Sequence, residues 1–330
     1  MKIVMTGATG FVGRHTADYL ASKGIEVVGL GRNKELGNNL TQSGHRFEAI
    51  SLSDCEKLNR ILEGADAVVH SAALSNLWGK YNDFYEANVQ GTQNIINATL
   101  KNGIKRFVHI STPSIYVEER DKLNVLENDP LPTTMINTYA HTKLMAEKIV
   151  ASTDGIDYIM LRPQGIFGEG EVAILPRLLR LAKKGMIPVI GSGENIIDMT
   201  HVKNVAHSIY LSLTTGRENT GEIYNVTNDE PIKNYEMLFH LCDKLNAKVK
   251  KKNLSFNKML LIAGGLERIG RMSAYKWEPP LTRYSVCALS LSRTLDISNI
   301  KNRLGYKPLV SMEEGMAEYI EWGKKLWNEN

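Results

Sequence analysis

With 330 residues, 43% hydrophobic and 23% charged, the chain has an ordinary globular composition and can fill one large α/β unit or two domains. A net charge of +4, with 7% aromatic residues that do not interleave with basic runs, argues against a nucleic-acid surface. Three scattered cysteines, Cys55, Cys242 and Cys287, share no metal-ligand spacing and point to a reducing compartment, and no apolar run reaches the roughly 18 residues of a membrane span.

The chain opens on an apolar run, Lys2 to Thr6, that breaks into Gly7, Gly10 and Gly13, followed by an amphipathic pattern (Phe11, Val12, Ala17, Leu20) ending at Gly24. This reads as strand, tight loop, helix. The first glycine turns the chain, the second lets backbone N–H groups approach a pyrophosphate, and the third lets the helix pack close to the strand. The phosphates are then expected on the positive N-terminus of the helix. Because the first strand starts at residue 2, no room is left for a signal peptide, and a cytoplasmic protein is expected.

A second strand, 26–30, runs into Gly31-Arg32-Asn33-Lys34, about 20 residues past the glycines, where a carboxylate would hold the ribose 2′-hydroxyl of NAD. No carboxylate stands there to repel a 2′-phosphate, and the planar fork of Arg32 suits one, so NADP is expected, with NAD as the alternative. Further strands are predicted at 47–50, 66–70, 106–110 and 158–161, alternating with helical patterns. That alternation means a doubly wound, parallel α/β sheet of the Rossmann type, with ligands at the C-terminal strand ends. Residues 1–165 are assigned to this nucleotide-binding domain. Residues 166–330, with helical patterns near 174–184, 203–213, 234–246 and 312–327, form a smaller substrate lobe partly interwoven with it.

The strand ending at Ile110 delivers Ser111-Thr112-Pro113-Ser114 to the sheet edge, where a hydroxyl can bind the oxygen of a carbonyl or alcohol. Tyr139 and Lys143 follow, one helical turn apart near the start of a helix predicted from about 135 to 152. An ammonium beside a phenol favours phenolate, so Tyr139 is expected to be a usable acid or base near neutrality. The spacing alone is cheap, since 13 tyrosines make one accidental match unremarkable, and Tyr19-Leu20-Ala21-Ser22-Lys23 is such a decoy. His70, His109 and His201 lie in or beside strands, make no metal motif, and read as core histidines. Asp198 is expected to tie the second lobe together by hydrogen bonds, and Glu127 and Asp129 to be solvated in a polar loop. No metal is expected.

The second lobe's unusual stretch runs from Lys248 to Lys276, where Lys250-Lys251-Lys252 precede an apolar run from Leu254 to Ile269. Three readings stay open: a core helix with a basic flank, an apolar pocket lid built on Leu254, Phe256, Leu260, Leu261 and Leu266, or a helix dipping into an anionic membrane interface.

Taken together, Thr6 to Gly13, His70-Ser71-Ala72-Ala73, Asn88 to Thr92, Ile110-Ser111-Thr112, Tyr139/Lys143 and Leu161-Arg162-Pro163 resemble the extended short-chain dehydrogenases/reductases, the epimerase/dehydratase superfamily. Glu278 to Tyr284, Asp296-Ile297-Ser298 and Leu304 to Pro308 are similar to its 3β-hydroxysteroid dehydrogenase-like branch, which includes reductases of β-keto acids. The resemblance implies Tyr139 as proton donor or acceptor, Lys143 holding the nicotinamide ribose, and Thr112 orienting the substrate oxygen. It implies a cofactor bed of Gly7, Thr9, Gly10, Phe11, Val12, Gly13, Arg32, Leu52, Ala72, Lys143 and Pro163. Asn88 stands where the family has a helix residue supporting the site, and Ser51 departs from an aspartate often found beside the adenine.

The activity so implied is NADP(H)-dependent interconversion of a ketone and a secondary alcohol on an apolar small-molecule substrate. A nucleotide-sugar epimerase or dehydratase, and a nucleotide-sensing protein without turnover, are the alternatives. The resemblance also implies a homodimer, with the helices near 81–102 and 135–152 paired across a two-fold axis as a four-helix bundle.

Overall fold

The computed structural model describes residues 1–329. Seven parallel strands form the central sheet: β1 (Lys2–Thr6), β2 (Glu26–Gly31), β3 (Arg46–Ala49), β4 (Ala67–His70), β5 (Arg106–Ile110), β6 (Asp157–Pro163) and β7 (Glu222–Val226). Their spatial order is β3-β2-β1-β4-β5-β6-β7. Side chains alternate between two packed faces, as a fully covered parallel sheet requires. Ile3, Met5, Val69, Val108 and Ile159 enter one core cluster, while Val4, Val28, Val68, Phe107 and Met160 enter the other. The chain leaves β1 toward β2 and β3 and then returns to β4 on its other side, so the strand order reverses at β1/β4, where Thr6 is paired with His70. Ligands of such sheets bind in the crevice beyond this point.

The six strands expected from sequence are present with shifts of one or two residues at their ends. The seventh comes from beyond residue 165: β7 pairs along β6 from Glu222↔Ile159 to Val226↔Pro163. The helix Val202–Thr214 likewise packs along α1 (Phe11–Ser22). The helix expected near 81–102 contains a π-helical turn, Tyr85–Gln90, between Tyr81–Phe84 and Gly91–Lys101. A separate core in the second half gathers Leu175, Leu179, Leu241 and Tyr319 from the helices Leu175–Lys183, Asn234–Lys244 and Met312–Glu329. No helix among the described residues is long and apolar enough to cross a membrane.

A buried polar lock joins these parts. The Arg162 guanidinium, at the end of β6, donates to both carboxylate oxygens of Glu147 at 2.8 and 2.6 Å, and to the Tyr116 hydroxyl. Tyr116 donates in turn to Asn225 of β7 at 2.9 Å. Asn225 Nδ2 donates to the Val125 and Asp296 carbonyls, and its backbone N–H donates to Glu127 at 2.8 Å. Glu127 is therefore a structural acceptor rather than the solvated loop acid expected, and burial raises its carboxyl above the ordinary range. Asp198 accepts the Leu295 N–H at 2.7 Å across the second lobe, and burial pushes it up to about 6.

Candidate active site

The cofactor bed is built of backbone brought into contact by glycine. Gly7 has φ +71°, and a Cβ there would stand 2.8 Å from the Ala72 nitrogen of the loop after β4. On Gly13 a Cβ would meet the Gly7 carbonyl oxygen at 2.2 Å, so α1 lies directly on the loop that precedes it. Gly10 caps α1 with no side-chain bond, and the first turn carries no acid. The first N–H groups of α1, beside Phe11 and Val12, have no side-chain cap among the described residues, and a pyrophosphate fits this cradle at the positive end of the helix dipole.

Toward the ribose, Gly31 carries no acid, and a Cβ there would lie 2.9 Å from Thr9 Oγ1 and 3.2 Å from the Phe47 ring, so a side chain would have to displace Thr9. Arg32 is exposed and has no bonding partner among the described residues. Asn33 caps the next helix, Lys34–Gln42, by accepting the Leu36 N–H at 3.0 Å. Ser51 bonds Ser53 at 2.8 Å, Leu52 packs against Gly91, and Pro163 closes β6.

The loop after β5 and the helix Thr138–Ala151 supply the hydroxyl groups. Asn137 caps this helix by accepting the Ala140 N–H at 2.8 Å, which sets Tyr139 in its first turn at the sheet edge. The Tyr139 phenol lies beside the Thr112 hydroxyl, which favours its ionised form. Thr112 Oγ1 donates to Ser114 Oγ at 3.0 Å, and Ser114 Oγ pairs with the Tyr284 hydroxyl at 2.9 Å. Three bonded hydroxyls, with the Tyr139 phenol beside the first, thus run from the sheet edge into the second lobe, where a capping box on Thr282 fixes the helix Arg283–Ser290 that carries Tyr284. Sequence reasoning missed Ser114 and Tyr284 as site residues, although Ser114 sits two positions from Thr112 and Tyr284 ends a stretch that carries the family resemblance.

Lys143 is buried, donating to the Ile110 carbonyl at 2.7 Å and sharing a 3.1 Å bond with His109 Nε2. Burial lowers its pKa to about 8. The phenol of Tyr139 departs from expectation: burial pushes it up to about 12, with the Thr112 hydroxyl opposing, and Lys143 is not among the groups that shift it. The ammonium is anchored on β5 instead. Tyr139 therefore holds its proton at neutral pH in this arrangement. The decoy resolves as a different contact, with Lys23 Nζ 5.4 Å over the Tyr19 ring and the Tyr19 hydroxyl on His207 Nδ1 at 3.0 Å.

His70 is the core histidine expected. Thr92 donates to the Asn88 carbonyl, so it accepts from His70 Nε2 at 2.9 Å. Nδ1 then accepts from Thr6 Oγ1 at 2.7 Å, while Thr6 Oγ1 accepts the Ala72 N–H. Every proton in that chain has one place, and burial keeps the ring neutral with a pKa lowered to about 3. His109 is more than a bystander because it touches Lys143, and its Nδ1 has no hydrogen-bond partner. His201 lies 3.5 Å from Glu318 and makes no hydrogen bond through its ring. Asn88, within the π-turn, accepts the Leu74 N–H at 2.7 Å and donates to Thr142 of the helix Thr138–Ala151 at 3.1 Å. It ties the loop after β4 to the helix that carries Tyr139. No cluster of potential metal ligands occurs among the described residues.

A sheet reversing at β1/β4, with a dinucleotide cradle there, a set of hydroxyls after β5 and a buried lysine on that strand's last carbonyl, is the framework of an NAD(P)-dependent oxidoreductase acting on CH–OH and C=O groups. The NAD dependent epimerase/dehydratase family model matches residues 3–227, and the chain belongs to that family. A 2-alkyl-3-oxoalkanoate reductase of Stenotrophomonas maltophilia (strain K279a) is 32% identical, the match covering 96% of this chain and 97% of the relative. The 3beta-hydroxysteroid-dehydrogenase/decarboxylase isoform 2 of Arabidopsis thaliana is 31% identical over 96% of this chain and 61% of its own length. DesIV, a dTDP-glucose 4,6-dehydratase from Streptomyces venezuelae solved with NAD and TYD bound, superposes with a TM-score of 0.77 at 27% identity, covering 98% of this chain and 97% of the other.

Proposed function

We propose that the chain is an NADP(H)-dependent ketoreductase, or in reverse a secondary-alcohol dehydrogenase, for a bulky apolar substrate. The Tyr139 phenol beside the bonded hydroxyls of Thr112, Ser114 and Tyr284 carries this reading. A bound nicotinamide supplies or accepts the hydride. Tyr139, protonated at neutral pH, donates its proton to the carbonyl oxygen during reduction, and Thr112 holds that oxygen in line. The Lys143 ammonium, anchored on the Ile110 carbonyl rather than on the phenol, would hold the nicotinamide ribose.

The groups acting on the Tyr139 hydroxyl are Thr112 and Tyr284, with no carboxylate among them. A ketone and an alcohol need one proton moved, whereas a sugar dehydratase needs further acids and bases, so the likeness to DesIV is read as one of fold and cofactor. NADP is preferred over NAD because Gly31 offers no acid to a ribose hydroxyl and Arg32, with no partner among the described residues, is available to a 2′-phosphate. Arg32→Ala should then weaken NADPH by about 1.5–3 kcal/mol, as for a charged hydrogen bond, while leaving NADH nearly unchanged.

An apolar substrate agrees with the activities for which the two relatives are named. It also agrees with the aromatic surface between sheet and second lobe, where Trp78 lies against Gly270 and 5.3 Å from Tyr275. A homodimer through the helices of 81–101 and 138–151 belongs to the same reading, supported by exposed Tyr81, Tyr85 and Leu100 on the first of them. The unpaired thiols of Cys55, Cys242 and Cys287 suit a cytoplasmic enzyme.

The test is a ketone panel with NADPH. Efficiency should climb with chain length at about 0.8 kcal/mol per buried methylene, placing long-chain β-keto acids or sterol-like ketones above small polar ones. Flat efficiency across the panel, or turnover of a UDP-sugar, would overturn the proposal and establish the epimerase reading.

A further inference from the structure

The helix Phe256–Met272 is turned inside out for a surface helix. At 3.6 residues per turn, Lys258, Leu261, Ile262, Gly265, Ile269 and Met272 share one face. That face points to solvent: Leu261 is 79% exposed, Ile262 49%, Ile269 56% and Met272 86%. The opposite face holds buried Ala263, Glu267 and Gly270, and the helix is anchored by Phe256 and Leu260 on Ile190 and Val286. Leu261 is therefore no pocket wall, contrary to the lid reading, while Leu254, Phe256 and Leu260 fix the helix to its own lobe.

The charges around this stripe are one-sided. Between Lys248 and Trp277 stand eight lysines and arginines and one acid, Glu267. Glu267 is turned inward, accepting the Arg283 N–H at 2.8 Å with Arg271 3.3 Å away. Lys250, Lys252, Lys258, Arg268 and Lys276 make no ion pair among the described residues. An apolar stripe with unpaired cations beside it and at both ends is complementary to a surface of acyl chains under anionic headgroups. A two-fold contact with a second copy would instead set the same cations against themselves with no acid to answer them.

We infer that this helix docks the protein on an anionic lipid surface, lying in the interface plane with Leu261, Ile262, Ile269 and Met272 in the acyl region. At about 1.5 Å per residue its 17 residues span about 25 Å, so it lies on a bilayer rather than crossing it. The inference stands apart from the ketoreductase reading, because it concerns binding and not turnover.

Flotation of the full chain tests it, using phosphatidylcholine vesicles with or without about 30 mol% phosphatidylglycerol. Partition into the anionic vesicles should be at least about tenfold stronger and should fall as salt is raised. Leu261→Asp and Met272→Asp should each lower that partition about tenfold, and Arg268→Glu should erase the preference for anionic lipid. Leu309→Asp, at a 52% exposed position outside the helix, should change nothing. The altered side chains face solvent, so melting temperatures serve as the folding control. Equal binding to both vesicle types, or unchanged binding by Leu261→Asp, overturns the inference. So does a wild type that ignores vesicles but whose self-association is lost in Leu261→Asp, which would give the face to a second copy.

Discussion

Two helices of this chain carry tyrosine and lysine four residues apart, and only one of the pairs sits where chemistry can occur. In α1, Tyr19 lies in the third turn, pointed away from the glycine cradle at the helix start, and its lysine rides over its own ring. In the helix Thr138–Ala151 the pair begins at the second residue, beside the C-terminal end of β5, so the phenol meets Thr112 and the lysine meets the Ile110 carbonyl. Spacing fixes which side chains share a helix face. Distance from the sheet edge decides whether that face has anything to act on.

The sharpest way to break this contrast is to remove each phenol. Tyr139→Phe should lower turnover by about 10²–10⁴-fold with cofactor binding nearly intact, as for loss of a general acid. Tyr19→Phe forfeits one bond to His207, worth about 1 kcal/mol of stability, and should turn over like wild type. Steady-state kinetics on the two variants decide it, and similar losses in both would dissolve the distinction.

The lysines differ through pH. Lys143 titrates near 8 when folded against 10.5 as a free side chain, so between those values the unfolded chain binds the extra proton and stability rises with pH. Below about 8 the full burden of the buried ammonium is present. Lys143→Met escapes that burden, so its melting temperature relative to wild type should be most favourable at pH 7 and lose ground toward pH 10. Lys23→Met should lose only about 0.5–1 kcal/mol of cation–π contact, read from the same melts.

The smallest expected effect sharpens the active end. Tyr284→Phe keeps the ring but ends the hydroxyl series at Ser114. It should cost about 1 kcal/mol, severalfold in kcat/KM, with the NADPH dissociation constant unchanged. A loss as deep as that of Tyr139→Phe would make Tyr284 itself the acid.

What the sequence showed of this site was what local spacing carries. The glycines sit three apart because successive backbone contacts within one loop demand it, and Thr112, Tyr139 and Lys143 each follow a strand or helix start recognisable on its own. What it hid depends on partners far along the chain. Ser114 and Tyr284 are 170 residues apart, and nothing near either announces the other. Lys143 was expected to act on the phenol because the helix places both on one face, yet β5 offers its ammonium a carbonyl and a histidine ring. The strand β7 is short and its pairing wholly non-local, and the outward turn of Leu261 depended on which face of its helix the second lobe would cover.

The polar lock on β7 bears on how the protein is made. Tyr116 and Asn225 are separated by 109 residues, so a ribosome adding about 5–20 residues per second delivers the second roughly 5–20 s after the first. Throughout that interval Tyr116 is without its acceptor, and from the moment β6 is made it has an open strand edge, the kind of template that invites wrong pairing. A chain stopped at residue 165 is frozen in that state. The nucleotide-binding half is therefore a unit in outline only, and chaperone dependence during synthesis should end when β7 emerges from the tunnel.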